Sequence, residues 1–261
     1  MAVRSDSITN PALKKMSEFN RSVFSTDNAA SYEGIAVKTI YFLIVFCLGM
    51  GAYFYIDNYY DGTNSVILSR ILIGALLVGA VSGIAASFVS SACAVFGTLY
   101  SMCEGYTLTW MSMSLGQQYK GIIIEALALT VLIIGVMAFL YASKIVKATE
   151  RLKSVLLTCL IVSLLGSFVY FLLGFFAPGS ELYILITTLN FGPVGILIAV
   201  LGVALAALLL INDFDFIAQT VERGMGKEYE WYASYGLIVG VIYLYVKILR
   251  MLTLIYNRKN N

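Results

Sequence analysis

The chain has 261 residues, 60% of them apolar and only 12% charged, with a mean hydropathy of +0.86 and a net charge of +2. Soluble domains carry about a quarter charged residues, so the composition excludes one and implies an integral membrane protein. The lack of a long basic tract excludes a nucleic-acid partner, and the lack of histidine removes the side chain that switches charge near neutral pH and most often ligates metals.

The segment 1–38 is too polar, and precedes the first apolar run by too far, to be a secretory signal. It is expected to stay attached as a cytoplasmic tail or short surface helix. A helix crossing the hydrocarbon core needs about 20 apolar residues, and the chain from 39 to 256 divides into seven such spans. They cover residues 39–56, 66–89, 92–115, 121–143, 155–176, a stretch from about 189 into NDFDF (212–216), and 233–256, leaving 257–261 as a tail. Pro178 and Gly179 close the fifth span, and Gly192 and Pro193 mark the start of the sixth. The fold class expected is an all-α seven-helix membrane bundle.

Basic residues set the orientation. Arg4, Lys14, Lys15, Arg21, Lys38, Lys144, Lys147, Arg151, Lys153, Arg223 and Lys227 fall on one side of such a bundle, against Arg70, Lys120, Arg258 and Lys259 on the other. The positive-inside rule then predicts a cytoplasmic N-terminus and an external C-terminus. The hairpin around Lys144–Lys153 is the most basic link, which suits anionic lipid. Cys47, Cys93, Cys103 and Cys159 lie within apolar stretches without CxxC spacing and read as small packing residues. The pairs Gly79/Gly83 and Gly236/Gly240 have the small-xxx-small spacing that lets helices approach closely.

Charge within the hydrocarbon core is costly, so it marks candidate functional residues. Asp213 and Asp215 are separated by about 200° on a helix, so one is expected to face the interior and the other the turn that follows. Tyr243, Lys247 and Arg250 share a face of the last span by their i+3 and i+4 spacing. Counting from the turn between the last two spans places Asp213 and Lys247 both roughly 15–20 Å from its end, which predicts an ion pair latching the two helices. The competing placement has Lys247 snorkelling with Arg250 toward the headgroups. Glu104 is expected to face the interior, Glu125 to be interfacial, and Glu230, Trp231 and Tyr232 to anchor the start of the last span. With no nucleophile–base pair, HExxH, P-loop or dinucleotide fingerprint, no enzymatic activity, cofactor or metal site is expected.

Several segments together carry a family resemblance. They are NPAL (10–13), EGIAVKT (33–39), LYSMCEGYTLTWMS (99–112), KATERLKSVL (147–156), FGPVGI (191–196), NDFDFIAQTVERG (212–224) and EYEWYASYGLIVGVIYLYVKILRML (228–252). In them the chain resembles the Bax inhibitor-1/YccA-like family, also called the transmembrane BAX inhibitor motif proteins, and its bacterial branch in particular. The resemblance implies six helices around a central seventh and a pH-sensitive calcium leak, with suppression of cell death in eukaryotic members. It also implies an acidic pair on the last two helices that shares a proton. Asp213 matches the first acid, and Lys247 stands where the second is expected. Paired carboxylates raise one pKa, whereas a lysine keeps its neighbouring aspartate charged and repels a divalent cation. The function expected is a cation leak of the bacterial inner membrane, held shut by Asp213 and Lys247, with Asp215, Glu104, Tyr243 and Arg250 in support. The alternative is a non-conducting membrane regulator that binds other membrane proteins in stress response or quality control.

Overall fold

Apolar runs bounded by polar or Gly/Pro-rich links fold as helices, because a backbone in lipid must satisfy its own hydrogen bonds. The computed structural model describes residues 29–60, 65–119, 121–146 and 149–260; the NPAL segment and Arg4, Lys14, Lys15, Arg21, Lys120 and Lys147 lie outside them. The described helices are α1 (Tyr32–Tyr60), α2 (Ser65–Phe88), α3 (Cys93–Gln118), α4 (Ile122–Ala142), α5 (Glu150–Phe176), α6 (Glu181–Phe191), α7 (Pro193–Glu222) and α8 (Glu228–Asn260). A 3-10 turn at Ser90–Ala92 joins α2 to α3.

Six of these, α1, α2, α4, α5, α7 and α8, are long and apolar enough to cross a membrane. The third expected span is also a long helix, α3, but a more polar one. Ser101, Thr107, Thr109 and Ser112 on it are buried, and Thr109 returns its hydroxyl to the Gly105 carbonyl at 2.7 Å. Its polarity is therefore turned inward, between α1 and α2.

A further short helix, α6, fills most of the link expected between the fifth and sixth spans, and the expected sixth span begins inside it. Ser180 caps α6 by accepting from the Tyr183 amide at 3.2 Å. Gly192 then breaks the chain in an extended conformation, and Pro193 opens α7 at the position where its missing N–H costs nothing. Residues 189–191 thus belong to α6. The terminal boundaries differ as well, since α1 starts at Tyr32, ahead of residue 39, and α8 continues to Asn260 through the stretch expected as a tail.

The last helix packs against α1, α3, α4 and α7, and more of it is buried than of any other candidate span. Leu244, Ile248, Leu249 and Leu252 of α8 interlock with Ala206, Leu210 and Ile211 of α7 and Ile122 and Ala126 of α4. Nearer the other end, Tyr235 and Ile238 pack on Phe42 of α1 and Cys93 of α3. Lipid tails are as apolar as these side chains, so close packing rather than removal from water holds the contacts. All four cysteines are free, with Cys93 buried and Cys47 and Cys159 exposed.

The backbones of α1 and α3 approach each other closely at two glycines. A Cβ on Gly49 would collide with the Met102 carbonyl, and one on Gly105 with the Phe46 carbonyl. Of the glycines singled out by spacing, Gly83 faces the Tyr100 ring and Gly240 faces Asp213, whereas Gly236 has open space around it.

Candidate functional site

Four chain segments meet at one end of the bundle: the start of α1, the α2–α3 junction, the start of α5 and the α7–α8 turn. Gly224 ends α7 with φ +61, a conformation that glycine adopts without a side-chain clash. The turn then bridges to the chain before α1, Ala30 N–H donating to the Met225 carbonyl at 2.6 Å. Tyr232 O–H donates to the Ser87 carbonyl at 3.1 Å, and Tyr235 O–H to that of Gly83 at 2.9 Å. Lys38, Lys153, Arg223 and Lys227 therefore gather at one end, as the count of basic residues grouped them.

Two ion pairs close this end. Glu230 is only 2% exposed, pairs with Lys38, and accepts from the Ser31 amide at 2.9 Å and its hydroxyl at 3.3 Å. The Lys38 ammonium also lies 5.3 Å from the centroid of the Trp231 ring, a cation–π contact. Glu230, in the first turn of α8, is thus a buried structural charge at this end of the bundle. The second pair joins α5 to α7, with Lys153 Nζ 2.9 Å from Asp215 Oδ2 and 3.1 Å from Glu150 Oε1. Asp215 also accepts from Gln219 and, at 3.4 Å, from Tyr141 O–H. Asp215 therefore faces this end of the bundle, while Asp213 faces the α8 seam, as their angular separation requires.

The expected Asp213–Lys247 ion pair does not form. Asp213 Oδ2 points at Gly240, where a Cβ would strike it and would lie 3.2 Å from Leu210 Cδ2. Among the described residues Asp213 is in no ion pair. Lys247 is two turns farther along α8, about 10 Å, and its ammonium donates to Ser163 Oγ of α5 at 3.5 Å and lies 4.9 Å from the Tyr243 ring centroid. The equal-depth expectation fails because α8 begins at Glu228 rather than Ala233. The residue that faces Asp213 across the seam is accordingly a glycine.

The other predicted residues separate. Glu104 is half-buried and accepts from Thr107 Oγ1 of its own helix at 3.2 Å. Tyr243 has a buried hydroxyl with no hydrogen-bond partner among the described residues. Arg250 is exposed and donates from Nη2 to Asn190 Oδ1 of α6 at 3.2 Å. Glu125, exposed in the first turn of α4, accepts from Tyr256 O–H at 2.7 Å at the opposite end, where interfacial residues are expected.

Replacing Lys153 by Met is expected to cost about 1–3 kcal/mol, because Asp215 keeps only neutral donors. The loss should appear in thermal unfolding in detergent and as faster hydrogen exchange in the first turns of α5. Unchanged exchange there would show that the pair does not hold α5.

Comparison with curated proteins gives no match. The family described as Bax inhibitor 1 like matches residues 10–257, taking in Asp213, both ion pairs and all the described helices but for the last residues of α8. The chain belongs to the Bax inhibitor 1 like family of multi-pass membrane proteins.

Proposed function

We propose that this protein lets cations, calcium among them, leak across a bacterial inner membrane, with the other long helices arranged around α8 and the N-terminus in the cytoplasm. Asp213 is the residue on which the leak depends. The observation that carries this reading is a half-buried carboxylate on the seam of α7 and α8, opposite a glycine and without a cationic partner among the described residues. A carboxylate left unpaired in such a place is expensive to keep and attracts a cation or a proton. The pairs Lys38–Glu230 and Lys153–Asp215 close the end toward which that carboxylate would release its ion. The protein is read as a conduit and not as an enzyme.

Lys247 plays no part in the gate. With Gly240 in place of a second carboxylate, pH acts through Asp213 alone, and protonation removes the charge that draws the cation. The test is calcium flux into proteoliposomes. Asp213→Asn should lower flux about tenfold, the equivalent of about 1.4 kcal/mol, and flatten its pH dependence, while Lys247→Gln leaves both unchanged. Equal flux in the wild-type protein and Asp213→Asn rejects the role of Asp213. No flux in either, from protein that keeps its thermal stability, favours the non-conducting regulator. The largely bare apolar surface of α5 is the observation that suits that second reading.

A further inference from the structure

Lys247 and Arg250 are two cations, three residues apart on α8, that meet only neutral groups. Their partners, Ser163 of α5 and Asn190 of α6, place both side chains beside α5, the candidate span least covered by protein. Among the described residues neither cation is in an ion pair, although charge on a membrane helix is costly without a partner or access to the interface.

The register of α7 against α8 gives the direction in which they lean. Pro193 stands as far before Asp213 as Asn260 stands after Gly240, so the start of α7 is level with the end of α8. Asn190, just before that start, is therefore near the C-terminal end of the bundle, and Arg250 reaches outward to it. Lys247 leans the same way. A Cβ on Gly202, three turns before Asp213, would lie 3.5 Å from Lys247 Cδ, although Lys247 itself is only two turns past Gly240. Both heads extend toward the interface and stop beside α5 and α6, on Ser163 and Asn190, which is snorkelling with a shared destination.

We propose that this flank binds an anionic phospholipid of the leaflet at the C-terminal end, its phosphate held by Arg250 and Lys247 and its acyl chains lying along α5. Charge complementarity selects the phosphate, which can accept from both cations at once. The bare apolar face of α5 supplies the surface for the chains.

The test is native mass spectrometry of protein extracted from nanodiscs of mixed phosphatidylcholine and phosphatidylglycerol. Wild-type protein should retain phosphatidylglycerol over phosphatidylcholine, and Lys247→Gln/Arg250→Gln should lower that preference about tenfold. The charge-keeping variant Lys247→Arg/Arg250→Lys should preserve it, and the single variant Arg250→Gln, at an exposed site, reads the effect without a change in the core. Lys227→Gln, at the opposite end, should leave retention unchanged. Equal retention of the two lipids by wild-type protein overturns the proposal, and so does a preference that survives the double glutamine change. Loss of the bound lipid to millimolar inorganic phosphate would make the flank a site for free anions instead. A co-purifying membrane helix in place of lipid would make it a protein contact.

Discussion

Replacing Glu230 with alanine is expected to destabilise the folded protein by about 3–5 kcal/mol, because it strands the Lys38 ammonium in a largely buried position. At roughly 2–4 °C per kcal/mol for a chain of this size, the thermal midpoint in detergent falls by about 10 °C. The neighbours make relaxation difficult. A Cβ on Gly34 would already collide with the Glu230 carboxylate, and Ser31 directs both its amide and its hydroxyl at the same oxygen. Removing both charges is a different experiment. Lys38→Met/Glu230→Met leaves no buried ion behind and should recover most of the loss, as apolar replacement of buried pairs commonly does. If the double variant is as unstable as Glu230→Ala, packing around Ser31 and Gly34 matters more than the charge.

Gly49→Ala and Gly105→Ala are expected to be nearly as damaging. Each introduces a methyl group where the facing atom is a carbonyl oxygen of the other helix, so α1 and α3 must separate along their whole contact. Overpacking of this kind costs about 1–3 kcal/mol where a side chain can yield, and a backbone cannot yield in that way. Both variants should lower the thermal midpoint by several degrees, whereas Gly74→Ala and Gly236→Ala, with nothing within 4 Å of the new Cβ, should be neutral or slightly stabilising through helix propensity. Equal behaviour of the two sets would show that the α1–α3 crossing tolerates a wider spacing.

Much of the fold was legible in the sequence, because hydropathy and length report directly on lipid exposure. The spans expected at 66–89 and 121–143 end within a residue or so of α2 and α4. The eleven residues of α6 fall mostly in the link between the fifth and sixth expected spans, because they are too few to cross a membrane and a search for runs of about 20 apolar residues passes over them. Asp213 was legible as a costly charge, and its divergence from Asp215 followed from helical angles alone.

The partners were not legible in the same way. Register between helices depends on where each helix starts, and Glu228 and Glu230 extend α8 beyond its apolar part, in keeping with acids at a helix N-terminus. That extension moves Lys247 two turns away from Asp213. The Lys38–Glu230 and Lys153–Asp215 pairs join residues far apart in the chain, and no spacing rule reports on them. In a chain with 22 glycines, spacing alone gave no reason to prefer Gly49 and Gly105 over the pairs that merely fit a motif.

The register of α7 on α8 carries the reading of Asp213, and oxidative cross-linking measures it directly. In a background where Cys47, Cys93, Cys103 and Cys159 are replaced by alanine, Asp213→Cys/Gly240→Cys should form a disulfide readily, since the two positions face each other across the seam. A disulfide needs Cα atoms within about 7 Å, so Asp213→Cys/Lys247→Cys, offset by two turns, should remain reduced under the same conditions. Efficient bridging of 213 with 247, and none with 240, would contradict the register and restore the lysine as the partner of Asp213.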